Sequence, residues 1–250
     1  MNENQLSQTE GRNLGLLAAP SCKTCPTLGQ AEWHCLSGEQ AGRLNRAKQC
    51  MTYKSGQHIF RQNSACHGLH CILEGTVALR RTDAQGNSSI VRLVECGQTL
   101  GHRTYFAGTA YSATAEALTD CRICFIPRED CQALIDESPA LNTRFLQRLA
   151  GELGQSENVR FRMTHQRIRT RLAHLILSLR GRHGEVDDDG NIVIQPPLSR
   201  RDMAAFIGAR AESLSRAIRA LREAGVAEFG RRKIVVHDLD NLLDEIDHQI

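Results

Sequence analysis

The sequence predicts an α+β fold, and three observations support this prediction. Residues 51–127 contain short apolar stretches separated by glycine turns, which is typical of strands. Residues 140–163 carry leucines at spacings of three and four, which indicates one long helix. Residues 199–225 contain two short helical patterns that meet at Gly208. A strand-rich part is therefore expected to precede a long helix and a mainly helical C-terminal part.

Length and composition narrow the class of protein. The 250 residues are enough for two domains, and no run of 18 apolar residues predicts a membrane span. The N-terminus has no basic stretch before an apolar region, so we expect no signal peptide and a cytoplasmic location. The net charge is only +3, but arginines are frequent after Arg160, which suits contact with phosphate. No nucleophile elbow, phosphate-binding loop or paired-carboxylate pattern occurs, so no enzyme is predicted.

The cysteines fall into two groups and a remainder. Ten cysteines are unusual in a reducing compartment, where cysteines serve metal or redox chemistry more often than structural disulfides. Cys22 and Cys25 form a Cys-x2-Cys pair, and Cys35 follows ten residues later. Cys121 and Cys124 lie three apart on a predicted strand, so only one of them can face the N-terminal group. The others show no comparable spacing and are predicted to be core or surface residues: Cys50, Cys66, Cys71, Cys96 and Cys131.

Apolar periodicity predicts the elements between the cysteine groups and the C-terminal part. Strands are expected at residues 58–60, 69–79 with a turn at 74–75, 89–94 and 111–118. A short helix is expected from Arg128 to Ile135, and the long helix follows. Leu146, Leu149 and Leu153 form a pattern typical of a coiled-coil seam, which becomes polar at Ser156 and Arg160.

The stretch from Ser199 to Gly225 has the pattern of a helix-turn-helix. Ser199 and Asp202 are spaced almost as in a capping box, and Gly208 suits the turn. The second helix has an apolar face and a polar face that suits the major groove of DNA. The polar face holds Glu212, Ser215, Arg216, Arg219 and Arg222. A hairpin is predicted over residues 228–236, and its Arg231 and Arg232 are expected to contact phosphate.

The run Glu212-Ser213-Leu214-Ser215-Arg216 resembles the recognition helix of the Crp/Fnr family of bacterial transcription regulators, and of its Fnr-type branch in particular. The resemblance covers almost the whole chain from Cys22. It implies a cysteine-containing sensing segment at residues 1–36 and a β-roll, similar to the cyclic-nucleotide-binding jelly roll, at 37–137. A dimerisation helix at 138–164 and a winged helix-turn-helix domain at 165–250 would follow.

The resemblance also implies the partners of the chain. It implies a homodimer that binds TTGAT-like palindromes in double-stranded DNA and regulates anaerobic or microaerobic gene expression together with RNA polymerase. Arg216 would form a bidentate pair with guanine O6 and N7, and Glu212 would accept from a cytosine amino group. Ser215 would contact a neighbouring base or phosphate. Arg210 stands where the family often has a Ser or Thr cap and is expected to contact phosphate instead.

In the Fnr-type branch, an N-terminal cysteine group and one distant cysteine bind an oxygen-labile [4Fe–4S] cluster. The family places its distant cysteine two residues before an Ile-Pro pair, and Cys124 fits that position, with Cys121 as the alternative. The resemblance therefore implies that Cys22, Cys25, Cys35 and Cys124 hold the cluster. The loop between Cys25 and Cys35 is longer than is usual in the family.

Cyclic AMP is not expected as the effector. His102 stands about where cyclic-nucleotide-binding members have the Glu that binds ribose, and Tyr111-Ser112 stands where they have an Arg followed by Ser or Thr. A buried phosphate without a guanidinium is poorly compensated.

Two other functions stay open at this point. One is a redox or interaction module with a structural zinc or a disulfide. The other is a haem-containing or nitric oxide-responsive regulator on the same scaffold, for which the candidate axial ligands are His34, His67, His70 and His102.

Overall fold

The computed structural model describes residues 21–27, 29 and 31–247, so the predicted sensing segment before Ser21 lies outside the described residues. The chain divides into two compact units. The first comprises the residues up to Arg81 together with Arg92–Ala150, and the second comprises Thr82–Val91 and the residues from Gly151 onward. No helix within the described ranges is long and apolar enough to cross a membrane.

Strands β1 to β8 form two four-stranded sheets, with the orders β1-β8-β3-β6 and β2-β7-β4-β5. The strands are β1 (Gln49–Tyr53), β2 (His58–Phe60), β3 (Gly68–Glu74), β4 (Thr76–Thr82), β5 (Ser88–Glu95), β6 (Thr99–Leu100), β7 (Thr114–Ala117) and β8 (Cys121–Pro127). Strand β8 pairs antiparallel with both β1 and β3. Ile72, Val77 and Ile123 belong to one buried core cluster, to which both sheets contribute.

Short helices pack beside these strands in the first unit. They are two 3-10 helices (Cys22–Thr24 and Glu32–Cys35), α1 (Gly38–Ala47), α2 (His102–Ala107) and α3 (Arg128–Glu137). Ser37 and Gln40 form a capping box at the start of α1. A second apolar core includes Trp33, Leu134 and Phe145, so it joins the N-terminal cysteine segment to the later helices.

The long helix α4 extends over Pro139–His165, close to the predicted range of 140–163. Leu141 and Phe145 are buried. Leu146 and Leu153, by contrast, are 59% and 62% exposed in the single chain. Two of the three leucines of the predicted seam are therefore exposed on α4, and the third, Leu149, is partly buried.

The second unit is a helical domain with a small sheet. Its elements are α5 (Ile168–His183), β9 (Gly184–Val186), β10 (Ile192–Ile194), α6 (Arg200–Phe206), α7 (Ala211–Glu223), β11 (Ala227–Phe229), β12 (Ile234–Val236) and α8 (Leu239–Asp247). The sheet has the order β11-β12-β10-β9. The buried side chains of this domain include Leu172, Ile176 and Leu221 on its helices. The hairpin of β11 and β12 is the predicted wing.

The predicted α+β fold class is confirmed, although strands β1 and β6 were not predicted and one predicted strand differs in length. The strand expected at residues 111–118 is shorter and covers only Thr114–Ala117. Tyr111 is instead buried and stacks on Phe60, with 3.7 Å between the ring centroids. Its aromatic side chain therefore fills core space ahead of the strand.

Candidate DNA-binding surface and cysteine site

The helix-turn-helix is held by local contacts that the sequence predicts. Ser199 Oγ accepts from the backbone N–H of Asp202 at 3.1 Å, and the Asp202 carboxylate accepts from the N–H of Ser199 at 3.2 Å. This capping box fixes the start of α6. The turn passes through Gly208 with φ +63°, a backbone conformation that suits glycine. The turn at Gly208 therefore leads from a capped α6 into α7.

Helix α7 has two distinct faces. Leu214, Ala217 and Leu221 are buried and face the domain core. The opposite face is exposed and holds the predicted base-contacting residues Glu212, Ser215, Arg216 and Arg219. Two of these side chains bond within their own helix: Arg216 Nη2 donates to Ser213 Oγ at 3.3 Å, and Ser215 Oγ donates to the Ala211 carbonyl at 3.0 Å.

The predicted phosphate-contacting arginines lie at the margins of this surface. Arg210 is exposed at the N-terminal cap position of α7 and makes no side-chain capping bond there. Arg231 and Arg232 are exposed in the turn between β11 and β12. All three guanidinium groups are therefore accessible for contacts outside the domain.

Two further arginines attach the wing to the helices, a role that the sequence analysis missed. Arg200 Nη2 donates to the Gly230 carbonyl at 3.2 Å, and its guanidinium lies 5.1 Å from the centroid of the Phe229 ring. Arg222 Nη2 donates to the Phe229 carbonyl at 3.5 Å. Arg222, expected on the groove-facing side of α7, thus supports the wing. Arginine content alone does not distinguish these positioning residues from phosphate ligands.

The structure separates the two cysteines of β8. Cys124 forms a buried cluster with Cys50 and Leu73, and Cys25 packs against this cluster. Cys121 belongs instead to the core cluster that contains Ile72 and Ile123. Its Sγ donates to the Thr119 carbonyl at 3.3 Å. Of the two candidates, Cys124 is therefore the one whose core cluster packs against a cysteine of the N-terminal segment.

Cys124 is not a free thiol in this structure, because a disulfide bond joins it to Cys50. Cys50 on β1 and Cys71 on β3 are both in register with Cys124, so the three cysteines form a row across neighbouring strands. Burial raises the pKa of the Cys71 thiol well above its ordinary value. Cys50 is buried in the core, as the sequence analysis expected, but its bond to Cys124 was not predicted, since the strand pairing was not apparent.

The other two predicted cluster ligands lie in the neighbouring core. Cys22 is buried there, and its backbone N–H donates to Asn45 Oδ1 at 2.9 Å. Cys35 packs against the same core, and burial raises the pKa of its thiol. Within the described residues, no three His, Cys, Asp or Glu side chains converge as metal ligands would. This conformation therefore packs Cys25 against the cluster that contains Cys124, but it places Cys22 and Cys35 with a different core cluster.

The segment between Cys25 and Cys35 is anchored by a buried carboxylate. Glu32 forms an ion pair with Arg148 on α4 and accepts from Thr99 Oγ1 at 2.6 Å. The neighbouring Trp33 packs edge-on against Phe145, with 5.5 Å between the ring centroids. Thr99 lies on β6, so this segment contacts both the strands and α4. The sequence analysis missed Glu32 because its partners are distant in the chain.

The two positions that argue against a cyclic nucleotide are filled by packed side chains. His102 is buried, and its Nδ1 lies 3.0 Å from the Thr99 carbonyl oxygen. Tyr111 is buried against Phe60, and burial raises the pKa of its hydroxyl. Neither residue supplies a permanent positive charge for a phosphate.

The histidines considered as haem ligands have differing surroundings. His34 and His67 are exposed, whereas His70 is buried between Phe60 and Phe125. Burial lowers the pKa of His70 to about 4, so its imidazole is neutral near pH 7.

Comparison with protein families identifies both parts of the chain. Residues 50–138 match the cyclic nucleotide-binding domain, and residues 170–245 match the Crp-like helix-turn-helix domain. These ranges include the cysteine row on the strands and the whole helix-turn-helix with its wing.

Proteins similar to most of the chain include a transcriptional activator and a cyclic AMP receptor protein. The chain is 25% identical to the transcriptional activator protein FnrL of Cereibacter sphaeroides, over 90% of this chain and 91% of that protein. It is 27% identical to the cyclic AMP receptor protein of Thermus thermophilus, over 87% of this chain and 97% of the relative.

Two solved structures share this fold. FixK2 from Bradyrhizobium japonicum matches 79% of this chain and 96% of its own, with a TM-score of 0.71 and 21% identity. A CRP/FNR-family transcriptional regulator from Thermus thermophilus matches 81% of this chain and 100% of its own, with a TM-score of 0.69 and 25% identity.

Proposed function

Because this chain belongs to the Crp/Fnr family of transcription regulators, we propose that it is a dimeric DNA-binding regulator switched by an oxygen-labile [4Fe–4S] cluster. It would act in the cytoplasm on TTGAT-like palindromes, with RNA polymerase as its partner in anaerobic or microaerobic gene expression. The DNA-binding part of this proposal is carried by the exposed face of α7. There, Glu212, Ser215 and Arg216 are grouped near the helix N-terminus, the end of a recognition helix that contacts base edges.

A dimer is supported by the open face of α4. Leu146 and Leu153 lie seven residues apart, so they share one face of this continuous helix. Burying these exposed apolar side chains against a second copy of the chain would stabilise a dimer through the hydrophobic effect. A two-fold dimer also matches the symmetry of a palindromic operator.

The cluster part of the proposal concerns the reduced protein. Cys25 already packs against the cluster that contains Cys124, and Cys22 and Cys35 would have to approach them to complete four thiolate ligands. When bound, such a cluster supplies a group that oxygen converts or destroys. The four cysteines would hold the N-terminal segment on β8, and Glu32 would pass the position of that segment to Arg148 on α4.

The effector is proposed to be oxygen acting on this cluster rather than a cyclic nucleotide. Packing at His102 and Tyr111 supports this choice, because neither position offers a guanidinium to a buried phosphate. A cyclic nucleotide would therefore lack its main charge partner at these two positions.

Anaerobic purification tests this proposal directly. We expect a brown protein that contains iron and sulfide and binds a TTGAT-like palindrome more tightly than after exposure to air. A colourless protein that contains zinc would favour the structural-zinc alternative, and a haem spectrum would favour the haem alternative.

A further inference from the structure

We propose that Cys50 and Cys124 form a reversible redox site that controls whether the Cys124 thiol is available. The inference concerns Cys50, which the proposed cluster does not use. It rests on the proposed function only in its consequence, because a Cys124 sulfur bonded to Cys50 is withdrawn from the cluster ligands. The disulfide itself is independent of any cluster.

The strand pairing holds the two sulfur atoms together. Cys50 and Cys124 are directly opposite each other on β1 and β8, with a Cα–Cα distance of 4.0 Å. Opposite residues of an antiparallel pair direct their side chains to the same face of the sheet. The reduced pair would therefore stay in contact, and the bond can form and break without a change of fold.

Access to this pair is through Cys25. Cys50 and Cys124 are only 7% and 3% exposed, so a soluble disulfide has little direct access to them. Cys25 is half-buried, belongs to the N-terminal segment and packs against the cluster that contains both cysteines. Its Sγ also lies 3.1 Å from Thr27 Oγ1. A thiol at this place can exchange with solvent species on one side and with the buried pair on the other.

The oxidant that we propose is a small disulfide such as oxidised glutathione. The Cys25 thiolate attacks one of its sulfur atoms and releases one small thiol. Cys124 then attacks the Cys25 sulfur and releases the second small thiol, and Cys50 attacks the Cys124 sulfur and returns the Cys25 thiol. In total, two cysteine thiols lose two electrons and two protons, and one small disulfide becomes two thiols.

The row also contains a matched control. Cys71 on β3 is in register with Cys124 on the other side of β8, so its position would equally allow a disulfide with Cys124. The structure nevertheless joins Cys124 to Cys50 and leaves Cys71 as a thiol. Cys71→Ser should therefore leave the redox site intact, whereas Cys50→Ser should remove it.

The first experiment equilibrates the full-length, cluster-free protein with glutathione buffers of increasing oxidising power in the absence of air. Free thiols are then alkylated, and disulfide-linked peptides are quantified by mass spectrometry. We expect a Cys50–Cys124 peptide that appears with a two-electron dependence and disappears with reductant. It should be lost in Cys50→Ser and Cys50→Ala and retained in Cys71→Ser. An irreversible bond, its absence at every potential, or a Cys71–Cys124 peptide would overturn the inference.

The second experiment measures the role of Cys25 and the link to the cluster. In Cys25→Ser, the linked peptide should form about tenfold more slowly but to the same final extent, because only the exchange route is lost. An unchanged rate would overturn the proposed route. The oxidised wild-type protein should take up little iron and sulfide until it is reduced, whereas oxidised Cys50→Ser should take them up at once. If neither reduced protein takes up a cluster, the proposed cluster fails, and the peptide measurement still decides the redox site.

Discussion

Among single residues, Arg216 and Arg231 represent two kinds of DNA contact. Both are exposed, but Arg216 lies on the base-facing side of α7 and Arg231 lies in the wing turn. A bidentate arginine–guanine pair is specific for the base, whereas a phosphate contact is not. Replacing Arg216 should therefore reduce DNA affinity in a sequence-dependent way. Replacing Arg231 should reduce the affinity for all sequences and change its salt dependence.

We predict that Arg216→Ala abolishes the preference for a TTGAT-like palindrome. Each lost guanine contact should cost about 1–3 kcal/mol of discrimination, and the palindrome contains two such contacts. A gel-shift titration against the palindrome and a scrambled duplex measures this difference. Unchanged affinity for the palindrome would show that α7 is not the recognition helix.

Arg231→Ala is the control for this measurement. Because it removes only a phosphate contact, it should weaken binding to both duplexes alike and make the salt dependence of binding less steep. A selective loss on the palindrome would instead assign base contact to the wing.

Among the elements, the attachment of the cysteine segment to α4 combines the packing of Trp33 on Phe145 with a buried ion pair. Glu32 and Arg148 are both largely buried, so removing one partner leaves the other charge poorly compensated. This pair gives the sensing segment a route to the dimerisation helix. Its loss should therefore affect both stability and the response of α4.

We predict that Glu32→Gln or Arg148→Met destabilises the first unit by about 3 kcal/mol, and that the double variant is less destabilised than the sum of the two. Trp33 is the only tryptophan of the chain, so its fluorescence during urea unfolding reports this region. Arg43→Gln is the control, since its ion pair with Glu137 is solvent-exposed and should contribute little to stability. Strict additivity of the two single effects would show that the pair does not couple the segment to α4.

The seam of α4 gives a second prediction at this scale. Leu146→Ala and Leu153→Ala should each weaken dimerisation at least about tenfold, because each removes apolar surface from both copies at the interface. The folding of the single chain should change little, since both side chains are exposed in it. Sedimentation equilibrium measures the dimer constant, and Val186→Ala is the control at another exposed apolar residue.

The same measurement tests the switch. Anaerobic and air-exposed wild-type proteins should differ in their dimer constants if the sensor acts through α4. Equal dimer constants together with equal DNA affinities would place the switch elsewhere.

For the whole molecule, the features that depend on residues close in sequence were predicted from the sequence, whereas those that depend on distant contacts were not. The capping box of α6, the turn at Gly208 and the faces of α7 involve residues close in sequence, and all were predictable from spacing. The Cys50–Cys124 bond joins residues 74 positions apart and depends on which strands flank β8. A single sequence carries no local pattern for such pairing, so Cys50 was assigned no role.

The cluster prediction tests the whole molecule, because its ligands come from both ends of the first unit. Under strictly anaerobic, reducing conditions, serine at position 22, 25, 35 or 124 should each sharply reduce iron and sulfide content and operator affinity, since a serine oxygen is a poor substitute for a thiolate. Cys96→Ser and Cys131→Ser are controls, because these residues lie outside both cysteine groups. Iron and sulfide analysis and a gel-shift titration on the same samples give the two readouts.

The pattern of loss would identify the ligands even if the proposed set is incorrect. If Cys121→Ser loses iron and sulfide while Cys124→Ser keeps its full content, the fourth ligand is Cys121. This residue lies on the other face of β8, where it is buried in the core. Full content in Cys35→Ser would remove the third N-terminal ligand. Loss in both Cys50→Ser and Cys71→Ser would instead favour a site built on the row of cysteines across β1, β8 and β3, because these thiols already lie beside Cys124 without movement of the N-terminal segment.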